Sequence, residues 1–589
     1  MAADALITLL TLAAVLGLLV FSRLAPDALL MAAVTVLLVT GVLAPGEALA
    51  GFSNSGLWTV AALYVVAAGL RETGAIQWVA RGMLGQPATA RRARLRMFVP
   101  GALLSAFLNN TTVVAMFIPA VQQWARKLRM APSRLLLPLS YIAILGGTCT
   151  LIGTSTNLVV DGLIREQGHD GFALFELAWI GVPALLAGAA FLALFGDRLL
   201  PERGGLTERL DEVRRYSVDV RVLPESALPG RTVAEAGLRN LAHGYLAEIS
   251  RRDRLLSAVG PDTVLEADDR LMFVGSPECA RELRGIQGLR PADAAVDKLA
   301  IENHQRCLVE AVVGPGFPGL GQTIRELQFR TRYGAAILSV YRGGERPEGK
   351  IGDIRLRVGD TLLMETDQAF VEQYRFRRDF LLVSPLTDSA PPDFRRAPLA
   401  LGILVLMAGT AALGLVSMLE AALVAAGAML ATRCLTVSRA RSGPDLSVLV
   451  VIGASFALGA AMRTTGLAGD AAGLITDLAA TPWLALALVY LCTVAFTELI
   501  TNNAAAVLMF SVALATAEHL GVSPTPFVVA VMFAASASFL TPLGYQTNLM
   551  VMGPGGYRTT DYLRLGLPMM LIVGTISILL IPHVWSFQG

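Results

Sequence analysis

The chain has 589 residues, of which 54% are hydrophobic and only 16% charged, and its formal net charge is +2. This is far more apolar than an ordinary soluble protein, and several uncharged runs are long enough to cross a bilayer, so we predict a polytopic α-helical membrane protein. The small charge gives no indication of a nucleic-acid polymer as partner, and the five scattered cysteines indicate neither a disulfide framework nor a zinc site.

The first apolar run has no Lys or Arg before Arg23, so it lacks the basic start of a signal peptide and is predicted to be a retained membrane helix. Membrane spans are predicted at about 5–22, 26–44 and 56–70, by length and hydrophobicity. An arginine-rich segment then extends from Arg71 to Arg96.

The next apolar stretch, Met97 to Gln122, has Asn109 and Asn110 at its centre and basic residues at both ends. Basic residues favour the cytoplasmic side, so this stretch cannot be one span, and two full spans of about 12 residues each would be too short. The pattern therefore predicts a re-entrant hairpin with both asparagines at its turn. Such a turn is tolerated at membrane depth only inside protein or beside a cavity.

Glycines and small hydroxyl residues interrupt the apolar stretch at 135–163 and predict a broken helix, after which a further span is predicted at about 173–198. From about 200 to 395 charge becomes dense, and alternating apolar residues predict strands. These predicted strands are Val218–Leu223, Arg270–Val274, Ala335–Tyr341 and Thr361–Glu365.

The polar insert repeats its own sequence pattern. Pro229-Gly230, Gly244 and Asp269 in the first copy correspond to Pro318-Gly319, Gly334 and Asp360 in the second. We therefore predict two α/β modules, at 201–300 and 301–390, between membrane repeats at 1–200 and 391–589.

The second membrane half has the same order of features. Spans are predicted at about 399–415, 417–433, 446–462 and, last, 563–586. The stretch from Trp483 to Ala517 has Asn502 and Asn503 at its centre, and its flanks are poor in Lys and Arg. It therefore predicts a second hairpin that enters from the opposite side, and 527–552 predicts a second broken helix.

The two broken stretches share a motif: TLIGTSTNLVV at Thr150–Val160 and TPLGYQTNLMV at Thr541–Val551 both fit T-x-x-G-x-x-T-N-L-x-V. Three spans, a hairpin, a broken helix and a last span thus occur twice, in opposite orientations. This predicts an inverted repeat, which is typical of secondary transporters with a site at the repeat interface.

Both hairpin tips and both helix breaks are expected to converge on this site. Helix N-termini there suit an anion, whereas freed carbonyl and hydroxyl oxygens suit a small cation such as Na⁺. Because these segments contain no Lys or Arg, bound cations and helix dipoles would neutralise the anion, which makes coupling natural. The predicted substrate contacts are Asn109, Asn110, Thr111, Thr112, Asn502, Asn503, Thr547 and Asn548. The predicted Na⁺ contacts are Asn110, Gly153, Thr154, Thr156, Asn157, Asn503, Thr541, Gly544 and Gln546. Ser155 and Thr501 complete the two half-sites.

Glu498 is a carboxylate inside the second hairpin, four residues before Asn502. An intramembrane carboxylate is a functional candidate, either as carrier of a coupling proton or as part of a cation site. The alternative is a side chain held by a polar neighbour. The sequence has no HExxH, GxSxG or P-loop motif and no TVGYG filter, which argues against an enzyme and against a potassium channel.

The hairpin tips and helix breaks resemble the S-N-T and G-T-x-x-N motifs of the divalent-anion/sodium symporter family of the ion transporter superfamily. The resemblance covers both membrane halves. It implies a homodimer in a bacterial-type plasma membrane that moves sulfate or C4-dicarboxylates with Na⁺ by an elevator-type motion. The chain departs from the motif at Asn109 and Asn502, which replace Ser, and at Ala504, which replaces Thr.

The paired insert is similar to tandem RCK C-terminal (TrkA-C-like) domains, which implies a cytoplasmic position and regulation by a bound nucleotide or ion. The alternative is that the modules only dimerise or brace the protein. Because permeases with such inserts are associated with sulfur oxyanions, sulfate is the expected substrate. A dicarboxylate, H⁺ coupling and an arsenite-type permease remain open.

Overall fold

The computed structural model describes most of the chain. The described residues are 3–22, 24–76, 78–79, 87, 89–128, 130–203, 217–239, 241, 244–251, 254–257, 259–275, 283, 286–291, 307–342, 347, 351–366, 370, 373–374, 377, 379–385, 394–479, 481–542 and 544–588. The predicted domain boundaries near residues 300 and 390 lie outside these ranges.

The chain forms two compact units. The first comprises Met1–Glu202, Pro391–Val551 and Arg558–Gly589, and the second comprises Arg203–Ala390 and Met552–Tyr557. The first unit is helical, and the second contains the β-strands.

The first half of the helical unit contains nine described helices. They are α1 (Ala3–Phe21), α2 (Pro26–Val39), α3 (Pro45–Ala50), α4 (Ser55–Glu72), α5 (Ala90–Phe107), α6 (Asn110–Lys127), α7 (Leu136–Gly147), α8 (Ser155–Glu166) and α9 (Ala178–Leu199). Helix α5 begins seven residues before the predicted apolar stretch, because Thr89 caps it by accepting a hydrogen bond from the Arg92 N–H at 3.3 Å.

The described residues of the second unit form two antiparallel sheets. Their strands are β1 (Ser217–Val222), β2 (Gly244–Arg251), β3 (Arg254–Ser257), β4 (Arg270–Gly275), β5 (Leu289–Pro291), β6 (Cys307–Val313), β7 (Ala336–Tyr341), β8 (Thr361–Thr366) and β9 (Phe380–Pro385), with helix α10 (Phe329–Tyr333) before β7. The strand orders are β3-β2-β4-β1-β5 and β7-β8-β6-β9. The second order matches the first without its edge strand β3, so the sequence repeat corresponds to a structural one.

Each sheet contains the same buried ion pair. Arg251 binds Asp269 through Nε–Oδ1 and Nη2–Oδ2, both at 2.8 Å, and Arg342 binds Asp360 through the same atoms at 2.7 and 2.8 Å. Both aspartates are fully buried. The paired carboxylate raises the pKa of each arginine. Asp269 and Asp360, which correspond in the two copies of the sequence repeat, are therefore structural residues of their modules.

The second half of the helical unit contains ten described helices. They are α11 (Ala397–Ala412), α12 (Met418–Ala431), α13 (Val437–Ser442), α14 (Leu446–Thr464), α15 (Leu467–Leu478), α16 (Pro482–Leu499), α17 (Asn502–Leu520), α18 (Thr525–Ser536), α19 (Gln546–Gly555) and α20 (Thr559–Val584).

Within the part of the chain that the structure describes, six helical segments are long and apolar enough to cross a membrane. They are Pro45–Glu72, Ala178–Leu199, Leu446–Thr464, Pro482–Leu499, Asn502–Leu520 and Thr559–Val584. This agrees with the prediction of a multi-pass helical protein. Helices of the two halves pack directly on each other, with extensive contacts between α2 and α14, α4 and α12, and α9 and α20.

The two halves place their helix interruptions at matching points. Helices α5 and α6 are separated only by Leu108 and Asn109, and α16 and α17 only by Ile500 and Thr501. Capping side chains start the second helix of each pair. The Asn109 Oδ1 accepts from the Thr111 N–H at 2.9 Å, and Thr501 Oγ1 accepts from the Ala504 N–H at 3.4 Å.

Candidate functional site

Asn110, the first residue of α6, is buried. It connects the first tip, which is the turn between α5 and α6, to the helix breaks of both halves. Its amide is fully satisfied when the oxygen accepts from the Tyr545 hydroxyl at 2.7 Å and the nitrogen faces three oxygens. These are Ser105 Oγ at 2.7 Å and the carbonyls of Ala143 and Gly153, both at 3.2 Å. The amide therefore has a positioning role as well as its predicted contact with ligand.

The loop of the first break, between α7 and α8, is fixed by residues of its own motif. Thr150 Oγ1 accepts from the Gly153 N–H at 3.2 Å, and Asn157 Nδ2 donates to the Thr150 carbonyl at 3.0 Å. These bonds replace helical ones at a point where the backbone leaves the helix.

The loop of the second break, between α18 and α19, has the same bonds. Thr541 Oγ1 accepts from the Gly544 N–H at 3.0 Å, and Asn548 Nδ2 donates to the carbonyls of Thr541 at 3.3 Å and Ser538 at 3.0 Å. The shared T-x-x-G-x-x-T-N motif therefore encodes one loop conformation twice.

The tip of each half contacts the break of the other half. Ser155 Oγ donates to Asn503 Oδ1 at 2.9 Å, and Thr111 Oγ1 donates to Gln546 Oε1 at 3.2 Å. All four predicted segments thus come together, as expected from the sequence.

Serine hydroxyls of α7 and α18, the helices before the two break loops, make further contacts between the halves. Ser140 Oγ in α7 lies 2.8 Å from Thr547 Oγ1 and 2.7 Å from Asn548 Oδ1. On the other side, Thr156 Oγ1 lies 2.8 Å from Ser536 Oγ in α18. Thr156, Thr547 and Asn548 are buried, so each broken helix is held by the opposite half.

Glu498 binds the loop of its own half. Its Oε1 accepts from the Leu540 N–H at 2.9 Å, and its Oε2 accepts from Thr541 Oγ1 at 2.7 Å. Ser105 lies five residues before Asn110, as Glu498 does before Asn503, and it contacts the Ala143 carbonyl at 2.7 Å. At these corresponding positions, the serine of the first half contacts helix α7, whereas the carboxylate of the second half contacts the break loop itself.

Four helices begin at this place: α6 at Asn110, α8 at Ser155, α17 at Asn502 and α19 at Gln546. The first N–H groups of a helix have no partner within the helix, and its N-terminus has partial positive charge. Helix α8 has no side-chain cap, because the N-cap residue Thr154 makes no such hydrogen bond. The cluster of helix N-termini therefore provides positive potential without Lys or Arg.

A recess opens beside the N-terminus of α8. Asn109 and Ser155 provide polar groups to it, and residues of α4, of the turn before α6, of the first break loop and of α8 form the remaining wall. These residues are Val60, Leu63, Tyr64, Phe107, Leu108, Ile152 and Leu158.

Three of the residues predicted to contact substrate are half-buried at the tips: Asn109, Thr112 and Asn502. The Asn502 Oδ1 accepts from the Asn503 N–H at 3.1 Å.

Tyr545 is a central residue that was not predicted from the sequence. Its ring is buried, and its hydroxyl contacts Asn110 and lies 3.3 Å from Thr154 Oγ1. An aromatic residue in an apolar stretch suggests core packing, but the shared motif aligns Tyr545 with Thr154. That alignment is the signal that could have identified it.

The citrate transporter family profile matches residues 16–531 of the chain. A Chlamydomonas reinhardtii protein described as a sulfur deprivation response regulator is 37% identical, over 94% of this chain and 97% of that protein. A transporter of Synechocystis is 32% identical over 94% and 92%. Sodium/sulfate cotransporter 2 of C. reinhardtii is 26% identical over 90% and 84%. The prediction of a transporter rather than an enzyme is confirmed by the names of such relatives.

Proposed function

The chain belongs to the citrate transporter family, and we propose that it is a secondary active transporter that moves sulfate together with Na⁺. Several relatives are named sodium/sulfate cotransporters, and another is named for sulfur deprivation. These names support a sulfur oxyanion as substrate and Na⁺ as coupling ion.

The meeting of four helix N-termini is the observation that carries this proposal. An anion at this point would accept hydrogen bonds from the uncapped first turn of α8 and from the amide nitrogen of Asn109, whose oxygen caps α6. The tips and break loops contain no Lys or Arg, so helix N-termini and bound cations would supply the positive charge. We assign the substrate to the recess beside Asn109 and Ser155, with further contacts from the substrate residues predicted above.

Na⁺ would bind oxygens of the two break loops and of the first turns of α8 and α19. Thr154, Thr156, Thr541 and Gln546 offer side-chain oxygens, and irregular backbone around Gly153 and Gly544 offers carbonyls. A cation there lowers the electrostatic cost of binding the anion, and the anion lowers that of binding the cation, so coupling follows from reciprocal stabilisation.

The proposed membrane arrangement is an inverted repeat. Each tip would be the turn of a re-entrant hairpin, and the two broken helices would meet at mid-membrane. We place residues 201–390 in the cytoplasm and the protein in a bacterial-type plasma membrane, as a homodimer with an elevator-type motion. The matching helix interruptions at Asn109 and Thr501, and the contacts between opposite halves, support the repeat.

We further propose that the insert regulates transport as a tandem of RCK C-terminal-like modules. Its two sheets share the order of four strands and the Arg–Asp pair with a buried carboxylate, which supports two copies of one domain. Uptake should then change on addition of a nucleotide or ion that binds the insert. If uptake is the same with and without every ligand tested, and the insert is folded, the result would favour the alternative in which the insert only braces the protein.

Purified protein in proteoliposomes tests the transport proposal. Labelled sulfate should accumulate with an inward Na⁺ gradient and fail to accumulate when K⁺ replaces Na⁺. Uptake of labelled succinate under the same gradient would instead support a dicarboxylate substrate. Uptake driven by a proton gradient without Na⁺ would indicate H⁺ coupling. Absence of Na⁺-dependent uptake of either anion contradicts the proposed function.

A further inference from the structure

The two break loops have the same backbone contacts but differ in side-chain size. In the shared motif Thr154 corresponds to Tyr545, and Ser155 corresponds to Gln546. The loop of the second half therefore carries two large side chains where that of the first half carries two small ones. Ser155, the smaller partner, lines the recess beside α8.

The phenol of Tyr545 lies between two of the helix N-termini. Its hydroxyl contacts Asn110, which begins α6, at 2.7 Å, and Thr154, which is the N-cap residue of α8, at 3.3 Å. The ring is buried, with 7% of its surface exposed. The side chain thus occupies space between these two N-termini, and its partner Thr154 directly precedes Ser155 of the recess.

We propose that Tyr545 is a specificity-determining residue that restricts the site to compact anions such as sulfate and excludes longer dicarboxylates. This inference rests on the proposed function. A threonine at this position, as in the first half, would leave the volume of the ring open between two helix N-termini. Because that volume is bordered by polar groups, it could accept the second carboxylate of a longer ligand.

Two substitutions separate the ring from the hydroxyl. Tyr545→Thr makes the second loop match the first at this position and removes the ring. Tyr545→Phe retains the ring and removes only the hydrogen bonds to Asn110 and Thr154. Tyr490→Thr is the matched control, because it removes a buried tyrosine ring of α16 whose neighbours are Gly574 and Ser577 in α20.

The experiment measures kcat/KM for labelled sulfate and labelled succinate in proteoliposomes, after each variant has been shown to be monodisperse by size-exclusion chromatography. Tyr545→Thr should raise the succinate-to-sulfate ratio at least about tenfold, as expected when a pocket gains room for a further polar contact. Tyr545→Phe should lower sulfate uptake and change the ratio less than about twofold, and Tyr490→Thr should leave the ratio unchanged.

The outcomes distinguish this inference from the proposed function. A wild-type protein that takes up neither anion with Na⁺ overturns the proposed function and this inference with it. A wild-type protein that takes up sulfate, together with an unchanged ratio in monodisperse Tyr545→Thr, overturns only the role of Tyr545. A rise in the ratio for Tyr545→Phe equal to that for Tyr545→Thr also overturns it, because the ring would then not be the cause.

Discussion

The hydroxyl oxygens of Thr154 and Tyr545 lie 3.3 Å apart, although the residues are separated by 391 positions and occupy the same place in the shared motif. Two equivalent residues related by a two-fold axis can touch each other only close to that axis. In the proposed inverted repeat, this contact therefore marks where the two halves of the site meet.

Replacing Asn110 by Ala should abolish transport and destabilise the protein. The change removes an amide that faces Ser105, Ala143, Gly153 and Tyr545 and leaves buried partners unsatisfied, at about 1–3 kcal/mol for each such group. Uptake assays and thermal unfolding in detergent check both effects. Asn109→Ala is the comparison and should lower the melting temperature less, because this half-buried amide makes a local bond to the Thr111 N–H. Normal uptake by Asn110→Ala would remove the residue from the site.

The contact between Ser155 and Asn503 should couple the first break to the second tip. Asn503→Ala is expected to abolish transport, and Ser155→Ala to weaken it. In a double-mutant cycle on thermal stability, the coupling should be about 0.5–1.5 kcal/mol, the range of one net hydrogen bond. Additive effects of the two changes would show that the bond contributes nothing to stability.

Glu498→Gln tests whether this carboxylate carries a coupling proton or fixes a loop. The loop role predicts a fall in sulfate uptake of roughly tenfold, because Gln has one acceptor where Leu540 and Thr541 each donate to a separate oxygen. The pH profile of the remaining Na⁺-driven uptake should keep its shape. A profile that becomes flat in the variant would instead assign the coupling proton to Glu498.

The contribution of the buried Arg–Asp pair to the stability of the insert can be tested with two adjacent aspartates, Asp269 and Asp268. Asp269→Asn should destabilise the first module by about 3 kcal/mol, because Arg251 loses the charge of its buried bidentate partner. Asp268→Asn is the control and should cost less than about 1 kcal/mol, since Asp268 and its partner Arg221 are both exposed. Thermal unfolding of the full chain measures both. Equal effects would contradict a special role for the buried pair.

Much of the helical arrangement could be predicted from the sequence because its interruptions are local. The asparagine pairs are adjacent to the ends of α5 and α16, and the T-x-x-G-x-x-T-N motifs contain the side chains that fix their own loops. Strands such as Arg270–Gly275 and Thr361–Thr366 also fall within a residue of their predicted bounds.

Other parts of the site depend on long-range packing and could not be predicted. Ser140 and Ser536 resemble ordinary small residues of apolar helices, and only the packing of opposite halves brings them to the broken helices. The double role of Asn110 is similarly hidden, because its partners lie on four separate parts of the chain. The roles of the tip residues in binding substrate stay predictions.

The contacts between tips and opposite breaks also set an order of events during synthesis. Asn110 and Ser140 emerge from the ribosome more than 400 residues before their partners Tyr545 and Thr547. Until then the first half has a buried amide and hydroxyl without their final partners, which favours looser packing of α6 and α7. We therefore expect this half to become fully protease-resistant only when the last broken helix has been made.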